Sequence, residues 1–309
     1  MNSSSALVLL WAIGMALSYP WAEMPDIDSE EFGQHNGPLP TNCSCGWTNK
    51  AALRIVNGVE AGVNQYPYMA GLGFIHPLQK ERLLGVFCGA TIVTGYHALT
   101  AAHCTYDDHV APIGIVVGEH DLSNELESGY TRMYPVARVV EHPGWNPKIS
   151  ANDISVLVTK QRIVFNEAVG PACLPSPVQP DLVGQFVKVT GWGRTRSGGD
   201  KSKVLLKVNL KVVSRAACMD AYPTRAINNN QICTYRNNKD SCQGDSGGPV
   251  TWLDSETNRY TLVGVVSFGA GCATKSPGVN TNVAAFIGWI QKTIKETSPT
   301  PVATCAKVA

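Results

Sequence analysis

Apolar and polar positions alternate along most of this chain in short runs, separated by clusters of Gly, Pro, Asn, Asp and Ser. β-branched and aromatic residues dominate those runs, and alternation of this length marks strands with one buried face. The pattern predicts strands over 68–75, 85–96, 113–117, 132–140, 154–158, 186–190, 204–213, 248–252 and 261–268, with a hairpin tip over 254–258. One segment has a different period. Val283, Phe286, Ile287, Ile290 and Ile294 recur at three- and four-residue spacing, so a single helix is expected near the C-terminus, packed on the sheets. The 29 glycines and 19 prolines fit an all-β chain rich in turns.

Two segments fall outside this pattern. Residues 6–17 form an apolar run too short to span a bilayer, followed by Ala16-Leu17-Ser18, a small-x-small cleavage pattern. Residues 1–18 are therefore read as a signal peptide, although their only positive charge is the terminal amine. Residues 19–54 carry five acids against two bases and little periodicity, which reads as an irregular pro-segment and not a domain. The composition changes at Arg54-Ile55, and 55–309 reads as the folded unit, ending in a Pro/Thr-rich tail over 297–309.

Charge and cysteines narrow the setting. The 25 basic and 24 acidic residues nearly cancel, which excludes nucleic acid or an anionic membrane as the expected partner. Ten cysteines behind a signal peptide imply disulfides and a secreted, extracellular protein.

The candidate chemistry lies in three places. Gly244-Asp245-Ser246-Gly247-Gly248-Pro249 pins one hydroxyl among residues that let the backbone approach a substrate closely. Thr100-Ala101-Ala102-His103-Cys104 places a histidine after an apolar strand, and Asn152-Asp153-Ile154 an acid before another. The chain order His103, Asp153, Ser246 is one of the orders in which an acyl-transfer triad occurs. With Arg54-Ile55-Val56-Asn57-Gly58 and Gly191-Trp192-Gly193, these motifs make residues 55–296 resemble a trypsin-like serine peptidase of the chymotrypsin family, similar to arthropod salivary, venom and midgut enzymes.

The resemblance implies two antiparallel six-stranded β-barrels, roughly 55–170 and 171–296, with the site between them. It implies His103, Asp153 and Ser246 as the catalytic residues and the amides of Gly244 and Ser246 as oxyanion donors. Asp240 would form the base of the primary pocket, with Ser241, Ser267, Phe268, Gly269 and Gly278 around it, so cleavage after Arg or Lys is expected. Asn280 replaces the usual aromatic floor residue, Phe268 replaces tryptophan, and Pro277 speaks against sodium dependence. Arg54-Ile55 would be the activation bond, the freed Ile55 amine pairing with Asp245. The implied bridges are Cys88–Cys104, Cys218–Cys233, Cys242–Cys272 and Cys173 with Cys45 in preference to Cys43. Cys43 and Cys305 are then left over, and a tail-to-pro-segment bridge is one way to pair them.

A non-catalytic homologue would typically lack the serine or the histidine. Both are present. Expected partners are protein or peptide substrates, an activating trypsin-like protease, which can be the enzyme itself, and protease inhibitors. The enzyme is expected to be monomeric and to need no cofactor. With a pro-segment too short for a recognition domain, a digestive or salivary role is favoured over a step in an immune or clotting cascade. The remaining histidines, His35, His76, His97, His109, His120 and His142, read as ordinary surface or loop residues. Glu119, Glu125 and Glu127 read as a solvated acidic loop in preference to a calcium site, and no metal is expected. Asn42-Cys43-Ser44 fits a glycosylation acceptor formally, but a bridge at Cys43 would hinder it. Residues 194–201 read as an exposed basic loop prone to autolysis.

Overall fold

A computed structural model describes residues 33–49, 59–106, 111–124, 127–176, 180–195, 198–237, 243–271 and 274–308. The expected signal peptide, Arg54-Ile55, Asp240, Ser241 and the expected Cys242–Cys272 bridge lie outside the described residues.

Strands β1 (Val59–Glu60), β2 (Met69–Ile75), β3 (Leu83–Thr94), β4 (His97–Thr100), β5 (Ile113–Val117), β6 (Arg132–Glu141) and β7 (Ser155–Thr159) come first. They are followed by β8 (Phe186–Gly191), β9 (Leu206–Val213), β10 (Gln231–Tyr235), β11 (Pro249–Asp254), β12 (Arg259–Phe268) and β13 (Gly278–Asn282). A closed antiparallel barrel runs β2-β3-β4-β7-β6-β5. A second, β8-β9-β10-β13-β12-β11, closes through the β8–β9 and β11–β8 pairings, with β1 added at β9. The all-β, two-barrel architecture is the chymotrypsin-like fold.

Inward residues of the first barrel, including Leu72, Ile92, Leu99, Ile115, Ile154 and Leu157, are wholly buried, as their alternation requires. A smaller cluster of Val187, Val189, Leu210, Val250 and Val263 fills the second. Helix α1 (Arg215–Ala221) starts at Ser214, whose hydroxyl accepts from Ala217 N. Helix α2 (Ile287–Thr297) buries Ile287, Ile290 and Ile294 of the predicted apolar face, and the 3₁₀ turn over Val283–Phe286 before it buries Val283 and Phe286.

Strands β1, β4, β10 and β13 and helix α1 escape the pattern. β4 has only four residues, and β13 reads Gly-Val-Asn-Thr-Asn, a poor strand sequence made stable by neighbours on both sides.

The N-terminal residues 33–49 lie along the second barrel. Their backbone bonds to the β11–β12 turn (Gly37 N to Thr257 O, 2.8 Å) and to Tyr260. Cys45 is bridged to Cys173, and Cys43 pairs with Cys305. The tail is correspondingly ordered: Leu174 N donates to Cys305 O, and Lys307 pairs with Asp254 at 3.1 Å. The Asn42 side chain is held by Thr304 O and Ala306 N.

Candidate active site

Strand pairing brings the histidine and the acid together. β4 and β7 are antiparallel with Thr100 opposite Ser155, so the residues after β4 and those before β7 emerge at the same end. His103 stands there in a short 3₁₀ turn, and Asp153 two residues ahead of β7. His103 Nδ1 lies 2.7 Å from Asp153 Oδ2, and the His103 amide donates to Oδ1 at 2.9 Å.

Asp153 is 1% exposed, and a buried carboxylate must be satisfied by donors. Ser267 of β12 supplies a third, its hydroxyl donating to Oδ2, and Thr281 of β13 donates to the Asp153 carbonyl at 2.6 Å. The second barrel thus clamps an acid carried by the first. Asn152, at φ +54°, accepts from Asn230 Nδ2 at 2.8 Å and donates to Gly144 O at 2.7 Å. A carboxylate accepting at Nδ1 favours the tautomer with the proton on that nitrogen, which leaves the Nε2 lone pair available.

Ser246 sits in the turn before β11. Its carbonyl accepts from Gly89 N at 2.8 Å, one residue from Cys88, which is bridged to Cys104 beside His103. That path ties the backbone of the serine turn to the strand whose cysteine is bridged beside His103. Among the described residues no hydrogen bond joins Ser246 Oγ to His103 Nε2, whose one contact is Cys104 Sγ at 3.8 Å. Such bonds commonly tighten only with substrate bound. Cys88, Cys104 and His103 cluster closely enough to suggest a metal, but the disulfide removes the thiolate donors it would need.

The turn itself depends on glycine. Gly244 has φ +105° and Gly247 φ +76°, and a Cβ at Gly247 would fall 2.2 Å from Thr100 Oγ1. Gly247 and Gly248 donate to Val266 O and Asp245 O. Among the described residues the amides of Gly244 and Ser246 have no carbonyl partner. Asp245 turns inward and accepts from Gly193 N at 2.8 Å; a Cβ at Gly193 would lie 2.4 Å from its carboxyl.

Of the pocket residues, Gly269 and Gly278 face each other, a Cβ on Gly269 lying 4.0 Å from Gly278 Cα. Phe268 packs edge-on against Tyr222, whose hydroxyl donates to Pro277 O at 2.7 Å and accepts from Ala270 N at 3.0 Å. Tyr222 thereby ties the two walls together. Asn280 is buried and donates to Ile232 O and Thr234 Oγ1.

Sequence reasoning missed Tyr222, Asn230 and Thr281, because their roles come from contacts between residues far apart in the chain. It also misplaced others. His97 is not a surface residue: it is wholly buried between Thr94 Oγ1 (2.6 Å) and Thr297 Oγ1 (3.0 Å), and burial lowers its pKa to about 4. His120 is buried as well, bonded to Glu60 at 2.9 Å, while its carbonyl accepts Trp192 Nε1. Glu119 is 8% exposed, so the acidic loop is not simply solvated. Burial and the neighbouring Glu127 carboxyl push the Glu119 pKa up to about 8. Glu125 lies outside the described residues.

Comparison with known proteins agrees with the geometry. The Trypsin family model matches residues 55–290. A "Venom serine protease" of Polistes dominula is 41% identical, over 83% of this chain and 90% of its own. "Venom serine protease 34" of Apis mellifera is 40% identical over 81% of this chain and 60% of its own. "Trypsin-1" of Astacus astacus is 39% identical over 77% of this chain and 98% of its own. Two closed barrels, a histidine held by a buried acid at their junction and a family match over most of the chain lead to one conclusion: this chain belongs to the trypsin family and is a serine endopeptidase.

Proposed function

We propose that the chain is a secreted zymogen that, once cut at Arg54-Ile55, hydrolyses peptide bonds after Arg or Lys through an acyl-enzyme on Ser246. The reading is supported by one observation: a buried Asp153 binds both the amide and Nδ1 of His103, which leaves Nε2 as the ring nitrogen able to serve as the base. A serine hydroxyl is a weak nucleophile at neutral pH. His103 takes its proton as Ser246 Oγ attacks the scissile carbonyl, then returns it to the leaving amine. Asp153 stabilises the imidazolium, and the amides of Gly244 and Ser246 receive the oxyanion, each donor contributing about 3 kcal/mol. Water then repeats the sequence on the ester and frees Ser246.

Asp240 supplies the anion that selects a cationic side chain, and the facing glycines 269 and 278 leave room for a long one. Asp245, next to the oxyanion amides and bonded to Gly193, is the natural counter-charge for the new Ile55 ammonium. The disulfides and the venom-protease names of the relatives favour an enzyme delivered in a secretion, and we read its role as digestive or salivary.

The test is to activate the full chain at Arg54 and compare amide substrates bearing Arg, Lys, Leu or Phe before the cut. Cleavage of the Arg and Lys substrates alone is expected, lost in Asp240→Ser. Equal cleavage after Leu or Phe would refute the specificity.

A further inference from the structure

The antiparallel bridge between Arg194 and Lys201 sits against the turn that carries Gly244. Arg194 N donates to Gln243 O at 2.9 Å, and Ser202 N to Gly193 O at 3.2 Å. Lys201 lies so close to Gly244 that a Cβ there would stand 3.2 Å from its Cε and 3.5 Å from its Cδ. Its ammonium reaches β3 and donates to Val86 O at 2.9 Å. The side chain therefore spans from that bridge, past Gly244, to the strand carrying Cys88.

That span has a definite relation to substrate. The side chain before the cut enters the pocket walled by Gly269 and Gly278 on the second barrel. The departing half must leave on the other side, past Gly244 and the Cys88–Cys104 bridge, because His103 beside that bridge gives the leaving amine its proton. Lys201 is exposed there, with one of its three donors taken by Val86 O. Partial burial, and after it the positive charge of nearby Arg194, lowers the Lys201 pKa. Asp245, the one acid acting in the other direction, belongs to the turn below.

We propose that Lys201 is a specificity-determining residue for the departing half of the substrate, favouring Asp or Glu at the first or second residue after the cut and disfavouring Lys or Arg there. This rests on the reading of Gly244 and Ser246 as oxyanion donors. It has a consequence for the chain's own bonds. Residues Ile55 and Val56 follow Arg54, so self-activation gains nothing from Lys201. Cuts after Arg194 or Lys201 would place Arg196 or Lys203 second after the bond, which the same cation opposes.

The experiment uses the activated full chain and internally quenched peptides identical up to Arg, followed by Ser-Asp, Asp-Ser or Ser-Lys. The readout is the ratio of kcat/KM for acidic over Lys peptides within one preparation, so any general loss of activity cancels. An exposed, charge-assisted pair predicts a wild-type ratio of about fivefold, shrinking as salt is raised. Lys201→Gln should bring the ratio close to unity, and Lys201→Glu should invert it. Cleavage of all peptides at equal rates, or a ratio unmoved by Lys201→Glu, overturns the inference and leaves the protease reading standing. Cleavage of none of them by the activated wild type overturns both.

Discussion

Around Asp153, donors from both barrels converge on one acid: His103 twice, the Ser267 hydroxyl, and Thr281 on its carbonyl. A hydrogen bond to a charged group contributes about 1.5–3 kcal/mol, so Ser267→Ala is expected to lower kcat/KM roughly tenfold or more. Unchanged kinetics in a variant with native circular dichroism would mean that the acid needs no support from the second barrel. In the sequence His103 stands out beside a half-cystine, Ser246 among glycines and Asp153 ahead of an apolar strand. Ser267, expected around the primary pocket, also donates its hydroxyl to Asp153, a contact with no local signal in the sequence. Thr281 and Asn230 had no local signal, since what they do depends on partners 128 and 78 residues away.

Among elements, the longer strands were readable because one face of each is buried and alternation survives. β4 and β13 were not, being short and composed of residues with little intrinsic strand preference. The loop between β5 and β6 was misread because charge pattern alone cannot reveal that Glu119 folds inward toward Glu127. Its carboxyl keeps its proton to about pH 8 in the folded chain but ionises in the ordinary carboxylate range when unfolded. The folded state then binds the extra proton between those values. Its stabilising contribution is complete below the ordinary carboxylate range and is lost as pH rises toward 8. Glu119→Gln, which mimics the protonated form, should therefore flatten the fall in Tm between about pH 5 and about pH 9. A wild-type Tm that does not fall more steeply than the variant's would contradict this. His97 acts with the opposite sign: its pKa is depressed to about 4, so its contribution is present above the ordinary imidazole range and lost as pH falls toward 4.

For the whole molecule, the two barrels are joined by their polar clasp, and the N-terminal segment over 33–49 is fastened at two points. Cys45–Cys173 and Cys43–Cys305 both join it to the rest of the chain, the second through the C-terminal tail. After cleavage at Arg54, non-reducing electrophoresis of Cys43→Ser/Cys305→Ser or of Cys45→Ser/Cys173→Ser should still show one species. Removing all four cysteines should release the light chain; release from either double variant would contradict the two-point attachment. The sequence reading anticipated the bridge at Cys45 by resemblance and left Cys43 and Cys305 open, because pairing across 262 residues has no local signature. The central claim is that His103, oriented by Asp153, makes Ser246 the nucleophile. Its most direct test is a pre-steady-state burst with an arginine ester, followed by intact mass and peptide mapping. The account predicts one acyl group per activated chain, on Ser246, with the burst abolished in His103→Ala. An acyl group on another residue, or a burst of equal rate in His103→Ala, would contradict it.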